Sequence, residues 1–160
     1  MNDERNDRLK KLKQKTAVIN LFKDFKTADL IEIKDMTVGE GKRINDFLKD
    51  SYTDPRLYSI DDHPGLERWI EEKFRLNKIS DHILMHVDSD QWMAEVKVKE
   101  WQGFIKFMIK YCGLCFYDYE TGMGISVSFD EDTCYINVKR NHTNEILKKK
   151  CWIYQPAMQL

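Results

Sequence analysis

HILMHVDSDQWMAEVKV, residues 82–98, is the stretch of sequence that decides the fold of this chain. Apolar side chains recur at every second position from Trp92 to Val98, which is typical of a β-strand with one buried face. The DSDQ run that precedes this strand contains Asp and Ser, which are favoured in tight turns. We therefore predict a β-hairpin across the stretch, and a continuous helix from about residue 91 is the competing prediction.

The same two-residue period predicts further strands on both sides of the hairpin. These predicted strands cover residues 30–34, 114–119, 124–130 and 133–139. Their short separations favour antiparallel pairing, because antiparallel strands can be joined by tight turns. The strands together predict a mainly antiparallel sheet of about five to six strands.

Apolar residues at three- and four-residue spacing predict the helices. The predicted helices lie at 5–26, about 37–51, from Pro64 onward, at 101–112 and at about 143–150. Residues 52–63 are predicted to form the one long loop. The expected fold is α+β, with helices packed on one face of the sheet. We find no repeat or linker, so residues 1–160 are predicted to form a single domain.

Two local patterns refine the first two helices. In the amphipathic N-terminal segment 1–26, the predicted buried stripe recurs along one side of the helix, at Leu9, Leu12, Thr16, Ile19 and Phe22, and Val18, Leu21 and Phe25 widen it. Thr37 and Glu40 have the spacing of a capping box, in which both side chains bond to backbone amides at a helix start.

The formal net charge of −1 does not favour the strongly basic domain that simple nucleic-acid binding requires. The charge is nevertheless uneven: residues 1–26 carry eight basic and four acidic side chains, and residues 139–150 carry five and one. If these two segments meet, they would attract phosphates. The residues of this alternative nucleic-acid site are Lys10, Lys11, Lys13, Lys139, Arg140, Lys148 and Lys149.

The chain shows neither an apolar run long enough to cross a membrane nor a secretory signal at its start. Four cysteines in this context predict free thiols or a metal in a reducing compartment, which we take to be the cytoplasm. Residues with AT-rich codons (Phe, Tyr, Met, Ile, Asn and Lys) far outnumber Gly, Ala, Arg and Pro, which favours a phage or a low-GC bacterium as the source.

The cysteine pattern is the only one with clear metal or redox chemistry. A C-x-x-C pair can hold part of a zinc site, which needs four thiolate or imidazole ligands. The candidate ligands are Cys112, Cys115, His142 and Cys151. Cys134 alternates with apolar residues of a predicted strand, so we expect it to be a small core residue.

The histidines offer a second kind of chemistry. His82 and His86 point the same way if their segment is a strand, but about 13 Å separates them, which is too far to share one metal ion. A phosphate-directed hydrolase that uses His82, His86 or His142 as general acid or base therefore stays an alternative.

Aromatic residues within charged segments favour a third function, the binding of another protein. Residues 50–72 carry seven acidic and two basic side chains, and residues 152–160 form a possible docking tail. We therefore predict a small intracellular adaptor or inhibitor whose partner has a basic surface. Its predicted contact residues are Tyr52, Tyr58, Asp61, Asp62, Trp152 and Tyr154.

Overall fold

The structure is a computed structural model, and it describes residues 2–49, 54–57, 62–87, 89, 91–110, 113–130 and 132–140. Four helices and seven strands lie in these ranges. In chain order they are α1 (Asn2–Lys23), β1 (Ala28–Asp35), α2 (Gly39–Leu48), β2 (Asp54–Leu57), α3 (His63–Leu76), β3 (His82–His86), β4 (Trp92–Val98), α4 (Trp101–Lys110), β5 (Gly113–Asp118), β6 (Met123–Asp130) and β7 (Thr133–Arg140).

All seven strands belong to one sheet, in the order β1-β4-β3-β5-β6-β7-β2, and every neighbouring pair is antiparallel. The predicted α+β class, the antiparallel sheet and the N-terminal helix are thereby confirmed. The β3–β4 hairpin forms as predicted, with Met85 opposite Ala94. The short strand β2 pairs with β7 inside the segment that was predicted to be a loop, and it forms the edge of the sheet.

One face of the sheet, which we call the first face, carries most of the core and is covered by α1, α3 and α4. Its strand residues alternate along the chain, as the buried Ile83 and Met85 of β3 show. The helices bring Phe22, Ile70 and Phe104 against them. The predicted packing of helices on one face therefore holds for these three helices.

α2 instead lies on the opposite, second face. Its Ile44 is fully buried in a smaller cluster with Leu84, Met93 and Tyr117, which alternate with the strand residues of the first face. Gly124 lets this helix approach the sheet, because a Cβ there would lie 2.8 Å from both Phe47 and Leu48. The strand residues in the middle of the second face are also apolar, and α2 covers them.

Two local predictions were wrong. The capping box at the start of α2 does not form: Thr37 donates its backbone amide to Asp35 at 2.8 Å, and Glu40 pairs with Lys34 instead. The alternation of residues 30–34 predicts Ile31 and Ile33 on one face of β1, but the register shifts between Leu30 and Glu32, so Ile31 is exposed. In both places a neighbouring residue or strand outweighs the local pattern.

The predicted buried stripe of α1 was also wrong in part. Val18 and Phe22 are buried, but Leu9, Leu12 and Ile19 are 46%, 61% and 39% exposed. Only the C-terminal part of α1 has side chains in the core, beside β1 and β4.

None of the helices in the described part of the chain has the length and apolar composition of a membrane crossing.

Candidate functional site

A cavity passes through the sheet where β3 and β5 separate. Within the described residues these strands are paired only between Ile83–Met85 and Phe116–Asp118. Beyond that pairing, the end of β3 and the start of β5 leave a space of about 680 Å³. Leu21 and Phe107 line it from the first face, and α2 lines it from the second. We call this space the through-sheet cavity.

The walls of the through-sheet cavity are mainly apolar, with polar groups at the end that α2 covers. The apolar walls include Leu21, Leu48, Met85, Phe107, Leu114 and Val127. The polar lining residues are Asn45, Lys49, His86, Cys115 and Ser126. None of the described lining residues is acidic. An apolar space with a few polar groups is typical of sites for small molecules.

His86 is neutral in this setting. Burial lowers the pKa of its imidazole below the ordinary value, and the positive charge of Lys49 lowers it further. At neutral pH one ring nitrogen therefore donates and the other accepts a hydrogen bond. His86 can bind a polar group, but it does not bring a charge of its own.

Cys115 is a half-buried thiol on the second face, opposite Ser126 of β6. Burial raises the pKa of its thiol to about 11, so it stays protonated at neutral pH. Cys134 is buried in the core of the first face, so the sheet separates these two cysteines. Cys112, His142 and Cys151 lie outside the described residues, and no cluster of three or more metal-ligating side chains occurs within them. The zinc site stays a prediction.

A second polar arrangement, the Glu95 cluster, lies on the second face near β1. It consists of Glu95, Lys34, His82, Tyr119 and Glu40. Glu95 accepts hydrogen bonds from Lys34 at 2.9 Å and contacts His82 Nε2 at 2.8 Å. Lys34 also lies 3.3 Å from Glu40, and the ring of His82 stacks on that of Tyr119 at 4.6 Å.

The positively charged members of the Glu95 cluster stabilise the ionised form of Glu95. Burial alone would raise the pKa of the Glu95 carboxyl, but hydrogen bonds and positive charge from Lys34 and His82 hold it below the usual range. Burial likewise raises the pKa of Tyr119, as do the nearby carboxylates of Glu40 and Glu95. His82 therefore has a structural partner, and it does not line the through-sheet cavity as His86 does. The structure does not bring the two histidines into one site.

The predicted protein-contact residues lie largely outside the described part of the chain. Tyr52, Tyr58, Asp61, Trp152 and Tyr154 are in undescribed segments, so that surface stays a prediction. Asp62 is described: its carboxylate lies 3.4 Å from Arg56, just before α3.

The described residues of the predicted nucleic-acid site occupy two separate places. Lys10, Lys11 and Lys13 are exposed on α1, which packs beside β1 and β4. Lys139 and Arg140 end β7, four strand positions from β4, or about 19 Å at the usual strand spacing. Lys139 also bonds to α2 on the second face, whereas α1 covers the first face. Lys148 and Lys149 lie outside the described residues.

Sequence reasoning missed the exposed side of α1. Leu9, Leu12 and Ile19, which we call the exposed α1 stripe, recur at the spacing of a helix that binds another helix. Arg8 and Lys13 flank the stripe, and both side chains are exposed.

Comparison of the chain with protein-family models, with curated proteins and with solved structures gives no match.

Proposed function

We propose that this protein is a protein-binding module, and that the exposed α1 stripe binds an acidic amphipathic helix of its partner. This proposal replaces the basic partner surface that was predicted from residues 50–72, because most of the predicted contact residues lie outside the described part of the chain. The observation that carries the proposal is the exposure of three large apolar side chains in a stripe along α1 that leads up to the buried Phe22 but does not itself pack on the sheet. Monomeric proteins usually scatter such residues singly, and a contiguous apolar surface marks an interaction site.

The spacing of the stripe favours a helical partner. Leu9 and Leu12 are three residues apart, Thr16 is four residues further on, and Ile19 follows at three. This alternation of three and four places all four side chains along one seam of a helix. A partner helix that lies along the seam would bury the two leucines and Ile19.

The charges beside the stripe favour an acidic partner. Six basic residues lie on the exposed N-terminal part of α1, at Arg5, Arg8, Lys10, Lys11, Lys13 and Lys15, whereas the described acidic side chains there are Glu4 and Asp7. Lys15 lies over the ring of Trp92 at 5.3 Å, which fixes one of these positive charges beside the sheet. Residues that flank such a seam select the partner by charge.

The same charges disfavour two other occupants. A second copy of the chain would bring Arg8 and Lys13 against their own equivalents, and like charges there repel. Residues 139–150 of this chain are also basic, so the segment that leads into the C-terminal tail is not complementary to α1.

The test uses a synthetic peptide of about three heptads, with Leu at both apolar heptad positions and Glu at the flanking positions. We expect it to bind the full chain, with an affinity that falls as salt is added. A matched peptide with Lys in place of Glu should not bind. Fluorescence anisotropy of the labelled peptides measures both.

Two variants locate the binding. The double variant Leu9→Gln, Leu12→Gln should weaken peptide binding by about a hundredfold, because each leucine contributes on the order of 1.5 kcal/mol of burial. Leu76→Gln, which changes another exposed leucine at the end of α3, should bind as the wild type does. Equal binding of both peptides, or an unaffected double variant, would overturn the proposal. So would binding to anionic vesicles or DNA with no binding of the acidic peptide.

A further inference from the structure

We infer that the through-sheet cavity binds a small apolar molecule that carries one anionic group, such as an aliphatic or aromatic carboxylate. Its volume of about 680 Å³ lies within the range of known ligand sites, roughly 300–1,000 Å³. This inference stands on a different part of the molecule from the exposed α1 stripe, so each can fail without the other.

The apolar walls determine the body of the ligand. Phe107 and Leu21 line the cavity from the first face, and Leu114 and Val127 line it from the strands. Water in such a space finds few hydrogen-bond partners, so a hydrocarbon body that replaces it is favoured.

The polar end of the cavity determines the head group. Lys49 lines it, and the Lys49 carbonyl accepts a hydrogen bond from Lys139 Nζ at 3.2 Å, which brings a second ammonium near the same end. Asn45 and His86 add hydrogen-bond donors. The positive charge of Lys49 in the lining, that of Lys139 beside it, and the absence of acidic residues from the described lining favour an anion.

Lys49 is free to change partners. Asp46 lies 2.8 Å from Lys42 but 3.4 Å from Lys49, so it is held mainly by Lys42. An exposed ion pair of this length contributes little to stability. The Lys49 ammonium can therefore turn toward a ligand carboxylate at small cost.

The test compares decanoate with decan-1-ol, which share an apolar chain but differ in head-group charge. Isothermal titration of the full chain should show that decanoate binds at least about tenfold more tightly than the alcohol. Lys49→Ala should weaken decanoate binding by about fivefold. Lys99→Ala is the matched control, because Lys99 is likewise an exposed lysine in an ion pair, with Asp29, but does not line the cavity; the affinity of this variant should match that of the wild type.

A second pair of variants tests the location. Ser126→Phe places a ring in the cavity and should abolish decanoate binding, whereas Ser128→Phe lies two residues along the same side of β6, outside the lining, and should not. Circular dichroism of both variants shows whether they fold. Absence of decanoate binding, equal binding of the alcohol, or undiminished binding by a folded Ser126→Phe variant would each overturn the inference.

Discussion

Lys34 Nζ lies 2.9 Å from Glu95 Oε2, and the two side chains are only 14% and 13% exposed. This ion pair joins β1 to β4, because Lys34 and Glu95 stand on neighbouring strands of the second face. Glu32 and Glu40 also lie within 3.3 Å of the same ammonium. One positive charge therefore holds three carboxylates together at this edge of the sheet.

Replacement of Lys34 by Met should destabilise the fold. Met keeps the apolar stem but leaves Glu95 with less compensation and places three carboxylates beside one another. We expect the free energy of unfolding to fall by about 2 kcal/mol, within the range for losing a hydrogen bond to a charged group. Urea denaturation of the variant and the wild type measures the difference.

Lys99→Met is the matched control for that substitution. Lys99 pairs with Asp29, again between β1 and the end of β4, but both side chains are more than half exposed. Exposed ion pairs contribute about 0–1 kcal/mol. Equal losses of stability in the two variants would show that burial of the Lys34 pair has no special effect.

Glu95 should make the free energy of unfolding depend on pH in the acidic range. Its pKa is below the usual 4.5 in the folded protein, so its ionised form stabilises the fold at and above neutral pH. That contribution is lost as the pH falls from about 4.5 through the lower folded pKa. We expect Glu95→Gln to be less stable than the wild type near neutrality, and the difference to shrink in acid. Urea denaturation across the acidic range checks this, and a difference that does not shrink would contradict it.

The residues that were predicted well share a purely local signal. β4 could be predicted because Ala94, Val96 and Val98 are buried on one side of a strand, and alternation alone reports that. The fold class follows from several such strands. Periodicity could not say which side of α1 is buried, because the helix has apolar side chains on two sides and only part of it packs on the sheet.

The candidate site could be predicted only in part, because it depends on contacts between distant residues. His86 and Cys115 were singled out by residue type, yet they share a cavity only because the pairing of β3 with β5 ends at Met85 and Phe116, one residue short of each. Nothing in a single sequence reports where two strands separate. Likewise, Glu40 was assigned to a cap because Lys34, its actual partner, is on another element.

Replacement of Asp118 should lower the free energy of unfolding more than replacement of most other polar residues. Asp118 is fully buried and accepts hydrogen bonds from the Ser80 hydroxyl and amide and from the amides of Glu120 and Thr121, at 2.6–3.3 Å. Asp118→Ala leaves these donors without their acceptor, and we expect a loss of about 3 kcal/mol.

A second turn provides the comparison for Asp118. Asp132, in the turn between β6 and β7, is exposed and accepts a hydrogen bond from Thr133 at 3.1 Å. Asp132→Ala should change the free energy of unfolding by less than about 0.5 kcal/mol. Thermal denaturation of the two variants gives their order, and a larger effect at Asp132 would contradict the prediction.

Cys115 should react slowly with alkylating reagents. Burial raises the pKa of its thiol to about 11, so its thiolate fraction near neutrality is well below that of an ordinary thiol. In a chain with Cys112, Cys134 and Cys151 changed to Ser, the rate of reaction with iodoacetamide should rise steadily from neutral pH toward 11. Unfolding in urea should raise the rate at neutral pH, because burial is the cause of the shift. A fast reaction of the folded chain near neutrality would show that its surroundings do not raise the pKa of the Cys115 thiol, and would contradict the prediction.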